Sequence, residues 1–368
     1  MLKNVRLQDK LFNQRRKAQK LERGKATQTL SPSMLQQAIK KGDIPSHFSV
    51  LLGSNSNGQP FEIEDLKGFD KARKSLDKKW KSDKGAPLNQ LIAASRLVDV
   101  QRANTEIKVA RLYKVRGDLL HFNVTASGKH GEGSYQVRVR LENWSSELTK
   151  VQRSWISAVK RICLGNVSID CQCGRYQYWY RYVATAGGFA LRPHEKDFPK
   201  IRNPKLTGCC CKHQLKALAA LKSPTVQAQL AKHLQTQAES TGFSSDKDKF
   251  LSKDDRERLE RAKPRKIDQS EAEKFIKKQE QAMKTFKRQL KDASYLKKLE
   301  KEAAALRVKL KSVSREAARA EKDELKAQLR LELDRAKMYG KSKTDAIKVF
   351  AFVKKFKIKD VQNLAKGL

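Results

Sequence analysis

The chain has 368 residues, with 80 lysines and arginines against 40 aspartates and glutamates, a formal charge of +40. Charged side chains make up 33% and aromatics 7%, and no apolar run approaches the roughly 18 residues of a bilayer span, which argues against one compact globule and against a membrane span. So large a positive surplus repels itself unless an acidic partner or a polyanion offsets it, and nucleic acid is the commonest polyanion.

The first 30 residues hold nine basic and two acidic side chains and no sustained apolar stripe, which predicts a free basic arm. They also lack the hydrophobic core of a secretory signal, so an intracellular protein is expected. Ser31-Pro32 predicts an N-cap with proline in the first turn, and Gly42 ends that short helix. Residues 52–60 read as a loop, and 61–86 as a charged stretch with Trp80 its single large anchor. Residues 1–86 are thus expected to form a basic N-terminal arm with a short helix.

The composition changes at Pro87. Leu88, Leu91, Ile92 and Leu97 to Val100 predict an amphipathic helix. Residues 107–115, 119–124 and 135–141 read as strands, the first and third alternating apolar with polar, with turns at 116–118 and 128–133. Residues 146–162 repeat apolar side chains at helical spacing, and 166–170 form a fourth strand that delivers the chain into Cys171. The expected fold class is α+β: a small antiparallel sheet domain with a zinc staple over 87–222, flanked by the basic arm and by long C-terminal helices.

Residues 223–267, with Pro224, Pro264 and a Ser/Gly patch at 240–245, read as a linker with short helices. Ser270-x-x-Glu273 is a capping box that opens a long helix within 268–340. Leu299, Ala303, Leu306, Leu310, Val313, Ala317 and Ala320 alternate spacings of four and three, a thin coiled-coil seam for a second copy or for another helix. Residues 341–368 form a basic segment whose Val349, Phe350, Phe352, Val353 and Phe356 make a stripe that should bury against something.

Chemistry concentrates in one place. Cys171-Gln172-Cys173 is answered, after 37 intervening residues, by Cys211-Lys212-His213. Three thiolates and an imidazole are a tetrahedral ligand set that suits structural zinc. Gly174 offers a turn after the first pair, and the second pair sits where a helix begins. Cys209 and Cys210 adjoin Cys211 and are alternative ligands, with Cys163 and His194 in reserve. Four protein ligands leave no open position for water, and no phosphate loop or nucleophile with a believable base is present, so the protein is not expected to be an enzyme.

The pattern C-x-C…C-x-H resembles the zinc-binding SWIM module. Cys171 to Tyr180 (CQCGRYQYWY), Gly187-Gly188, Pro199, Arg202-Asn203-Pro204 and Cys211-Lys212-His213 resemble a variant found in tailed-bacteriophage virion structural proteins. The resemblance covers residues 105–222. It implies Cys171, Cys173, Cys211 and His213 as zinc ligands, other virion proteins as partners, and a place in a virion assembled in the host cytoplasm. A free DNA- or RNA-binding protein of replication, recombination or regulation is the alternative. Tyr176, Tyr178, Trp179, Tyr180 and Tyr182 are interleaved with Arg175 and Arg181, as in a base-stacking platform, or are residues of an ordinary strand. Arg192, Lys196, Lys200, Arg202 and Lys205 extend that set toward a phosphate track; Arg175, Arg181, Arg192, Lys200, Arg202 and Lys205 are therefore the candidate nucleic-acid contacts.

Overall fold

A computed structural model describes residues 2–25, 30–80, 84–127, 133–150, 152–239, 248–262, 265–290, 293–354 and 356–366. The chain falls into two units, residues 1–279 and 280–368.

The first unit opens with helices α1 (Leu2–Lys25), α2 (Pro32–Lys41), α3 (Ser46–Leu52) and α4 (Ile63–Lys79). The Ser31 hydroxyl accepts from the Met34 amide at 3.2 Å, and Gly42 closes α2 in the left-handed region, as the sequence predicts. Strand β1 (Ala86–Pro87) and helices α5 (Leu88–Ala93) and α6 (Leu97–Thr105) lead into the meander β2 (Ala110–Arg116), β3 (Leu119–Thr125) and β4 (Ser134–Leu141). Two helices, α7 (Trp144–Leu148) and α8 (Trp155–Leu164), replace the single one expected over 146–162. The Ser154 hydroxyl caps α8 anew at the Ser157 amide. Strand β5 (Asn166–Cys171) is followed by a π-helical turn at Tyr176–Tyr180, then α9 (Arg181–Ala186), α10 (Lys212–Leu221), α11 (Pro224–Glu239), β6 (Lys249–Phe250) and α12 (Lys253–Arg261).

All strands pair antiparallel in the order β1-β5-β4-β3-β2-β6. The four main strands lie where the sequence predicts strands, while β1 and β6, two residues each, are too short to carry a period. Register places Phe122 beside Val137 and Val137 beside Cys171. One sheet face therefore collects Leu120, Phe122, Val124, Val137, Val139, Ile169 and Cys171, all fully buried. Helix α10 packs across β2 to β5 and α8 against β5, with α6 packed on α10 and α11 on α8. The buried cluster extends from Leu30 to Ala272, beyond both ends of the expected 87–222 domain.

The opposite face is polar, and it corrects the expectation of a free N-terminal arm. Helix α1 docks there through buried polar contacts in place of an apolar stripe. Lys114 donates to both Asp9 oxygens at 2.9 Å, and the Tyr113 hydroxyl donates to Asp9 at 3.0 Å. Gln172 donates to the Phe12 carbonyl at 2.7 Å, Gln19 donates to the Gln172 carbonyl at 3.3 Å, and Arg16 donates to Gln136.

Helix α13 (Gln269–Leu290) starts from Asp268, whose carboxylate accepts from the amides of Ser270 and Glu271 at 2.9 and 3.3 Å. Asp268 thus takes the capping role expected of Ser270. The helix expected over 268–340 is two, α13 and α14 (Ala293–Met338), and their junction lies outside the described residues, as do 128–132, 240–245 and Pro264. In the second unit α14, α15 (Lys343–Lys354) and α16 (Ile358–Leu364) bury Leu329, Ile347, Phe350, Ala351 and Val361 together. Only Phe350 of the expected aromatic stripe is buried; Phe352 is 87% exposed, and Val349, Val353 and Phe356 are exposed as well. Leu306, Leu310 and Val313 of the heptad seam are exposed, and the Leu299 side chain lies outside the described residues. No described helix is long and apolar enough to cross a membrane.

Candidate metal centre

Strand β5 carries Cys171 into the floor of the core, because its partner Val137 faces the same way. The chain then turns. The Cys173 amide donates to the Cys171 sulfur at 3.5 Å, and the Tyr176 amide donates to the Cys173 sulfur at 3.4 Å. The Gln177 amide donates to the Cys173 carbonyl at 3.1 Å, so Cys173 stands at the head of the π-helical turn.

The second pair is placed by a helix start. Cys211 is the N-cap of α10, its sulfur accepting from the Gln214 amide while its own amide donates to the Gln214 side chain at 3.0 Å. This is a capping box with sulfur in the place of a hydroxyl. The loop arrives through Gly208 at φ +73°, where an added Cβ would lie 2.7 Å from Arg96 and 3.1 Å from the Tyr180 ring. Only glycine fits both the dihedral and the space.

The sulfurs of Cys171, Cys173 and Cys211 and a ring nitrogen of His213 lie within 4.8 Å of one another, and all four residues are buried. Neither His213 nitrogen has a hydrogen-bond partner, and the Tyr135 ring packs at 4.7 Å from the imidazole. A buried polar atom without a partner is costly. A metal bound at about 2.0–2.3 Å by sulfur and nitrogen satisfies one of these nitrogens after small side-chain adjustments. The thiols lean the same way. Burial and neighbouring thiols push Cys171 up, and burial does the same to Cys211. Burial also raises Cys173, yet the close approach of Cys171, Cys211 and His213 carries it well below the ordinary thiol range. Packed this closely, one thiolate suppresses ionisation of the next, and a divalent cation removes that conflict.

Geometry separates Cys211 from its neighbours. The Cys209 thiol donates to the Leu91 carbonyl at 3.2 Å, and Cys210 is buried outside the four-residue group. Cys163 is buried in α8, its thiol pushed up to about 12 by burial, and His194 is exposed on a loop.

The basic-aromatic segment is neither a strand nor an open platform. Tyr176 and Tyr180 point into the core from a helical turn, and Tyr178 lies 59% exposed. Arg181 is fully buried, donating to Asp170 at 2.7 Å and to the Pro193 carbonyl at 2.7 Å, so it is no nucleic-acid contact. Lys200 donates to the Leu52 carbonyl at 2.9 Å. Arg175 pairs with Asp99 at 3.1 Å and lies 3.6 Å over the Trp179 ring. Arg192, Arg202 and Lys205 are exposed.

Beside the cysteines is a cavity of about 320 Å³ whose lining includes Arg102, Arg175, Arg202, Lys212, His213 and Trp179. Sequence reading passed over Arg102, Glu106 and Lys212. The only local signal is the i,i+4 spacing of Arg102 and Glu106 and the position of Lys212 between two ligands. Comparison with protein-family models, with curated proteins and with solved structures finds no match for this chain.

Proposed function

We propose that this protein is a non-catalytic structural component of a nucleoprotein assembly, stapled by one zinc ion at Cys171, Cys173, Cys211 and His213. The buried cluster with both His213 nitrogens lacking a partner carries this reading. Zinc is the metal of choice because three thiolates and an imidazole are its usual structural set, and a shell filled by protein leaves no position for a reacting water. The staple ties the end of β5 to the start of α10 and closes the long loop between them.

The assembly is proposed to be a virion of the tailed-bacteriophage kind, on the resemblance of residues 105–222. A net charge of +40 suits contact with packaged nucleic acid, and the exposed Leu306, Leu310 and Val313 on α14 offer a seam to another helix, in a neighbour or a second copy. Mass spectrometry of purified particles, with metal analysis of the isolated protein, tests both halves. A fixed copy number per particle and bound zinc are expected. Absence from particles would overturn the virion assignment, and metal-free protein that keeps its fold would overturn the staple. The second reading, a free nucleic-acid-binding protein, is favoured by the basic cavity beside the cluster. Nucleic-acid affinity in a protein absent from particles would select it.

A further inference from the structure

The cavity beside the metal cluster has a charge pattern that the staple does not require. Arg102, Arg175, Arg202 and Lys212 converge on it. Two carboxylates hold three of these cations in place: Glu106 takes Arg102 at 3.0 Å and also Lys212, and Asp99 takes Arg175 at 3.1 Å. Among the described residues no carboxylate pairs with Arg202, which is exposed. Four cations against two carboxylates leave two positive charges. A divalent metal held by three thiolates and a neutral imidazole contributes one negative charge, so one positive charge remains. That complements one phosphodiester better than a doubly charged phosphate monoester.

The walls add a second requirement. The Arg175 guanidinium carbon lies 3.6 Å from the centre of the Trp179 ring, a cation–π contact that restrains its donors. Tyr178 stands at the rim, its ring 3.7 Å from the place a Cβ on Gly174 would occupy. Tyr178 and Arg202 also border a neighbouring hollow of about 240 Å³ in which Glu195 and Asp197 stand against Lys200 and Arg202, so the cation excess lies on the metal side of that wall. The first cavity is at the small end of ligand sites, which run from about 300 to 1,000 Å³. Bases in a duplex are stacked on both faces and cannot lay a ring on Tyr178, whereas an unpaired strand can.

We infer that this cavity is a binding site for one nucleotide of a single-stranded nucleic acid, its phosphodiester held by Arg102, Arg175, Arg202 and Lys212 and its base against Tyr178. This deepens the reading above and rests on its nucleic-acid contact.

Fluorescence anisotropy with the full-length, metal-loaded protein tests it, using a labelled oligothymidine of about 12 nucleotides and a duplex of equal length. The single strand is expected to bind more tightly. Arg202→Glu and Tyr178→Ala should each weaken it about tenfold, Tyr178→Phe should not, and Arg202→Glu should lower the salt slope by about one. The control Arg153→Glu, an exposed cation outside the cavity, should leave affinity within about twofold. Metal content of each variant reports an intact fold. Salt-dependent binding that ignores Arg202→Glu and Tyr178→Ala would overturn the site and leave the assembly reading standing. No binding of either probe by metal-loaded protein would overturn both the site and the proposed nucleic-acid contact.

Discussion

At the scale of single residues, two buried groups decide what the first unit tolerates. Cys171 belongs to the buried Cys/His group proposed above to share one metal, and on that proposal metal binding and folding are coupled. Cys171→Ser is expected to reduce bound zinc from about one equivalent to nearly none and to lower the thermal midpoint sharply, read by metal analysis and calorimetry. Asp170 is the second. Burial raises its carboxyl, but the charges of Arg138, Arg181 and Arg16 outweigh this and hold it below the ordinary carboxylate range. A depressed carboxyl adds stability that is present above about pH 4 and lost as pH falls through the folded value. Asp170→Asn leaves the buried Arg181 without its counter-charge and should cost about 3–5 kcal/mol at neutral pH, measured by urea unfolding. The Cys/His cluster was legible because each of its two pairs is local and its chemistry is rare in the chain. Arg181 was not legible. Its neighbours alternate like a strand, and the helical turn that buries it comes from the Cys173 cap and the core positions of Tyr176 and Tyr180.

Among the elements, α1 shows where reading by pattern stops. A docking helix is recognised by an apolar stripe, and α1 uses Asp9, Arg16 and Gln19 against a polar sheet face instead. That face consists of residues which, in isolated strands, would be assigned to solvent: Lys114, His121, Gln136 and Asp170, all buried. His121 gives the docking a pH dependence. Burial, with the charges of Lys114, Arg16, Arg138 and Arg116, lowers its imidazole from an ordinary value near 6.5 to about 2. Below pH 6.5 the unfolded chain binds a proton that the folded chain refuses. Stability should therefore fall by about 1.4 kcal/mol per pH unit on acidification, until α1 lifts or the folded group protonates. Unfolding free energies from urea titration at pH 7.5 and 5 should differ by about 2 kcal/mol more in the native chain than in His121→Gln, which cannot take up the proton. Equal shifts in both chains would mean that His121 is not the sensing group.

For the molecule as a whole, composition and core make separate statements. The apolar alternation of β2 and β4, together with the strand-like apolar runs of β3 and β5 between turn signals, located the sheet. It could not reveal that the core extends to Leu30 and Ala272, because those segments contribute isolated anchors such as Phe48, Phe69 and Trp80. The charge of +40 is stated by the sequence alone, and the ion pairs within the fold absorb only part of it. Several cations that look available in the sequence are committed internally, among them Arg138, Arg181 and Lys114. What remains outward is balanced by solution counterions or by an acidic partner. If that partner is nucleic acid, each neutralised phosphate releases a condensed counterion, and the logarithm of affinity falls linearly with the logarithm of salt. With about six to ten phosphates contacted, affinity should drop by about a thousandfold or more between 50 and 200 mM salt. A slope near zero would place the partner among acidic proteins. A slope that Arg202→Glu reduces by about one would assign one of the released ions to the cavity beside the metal.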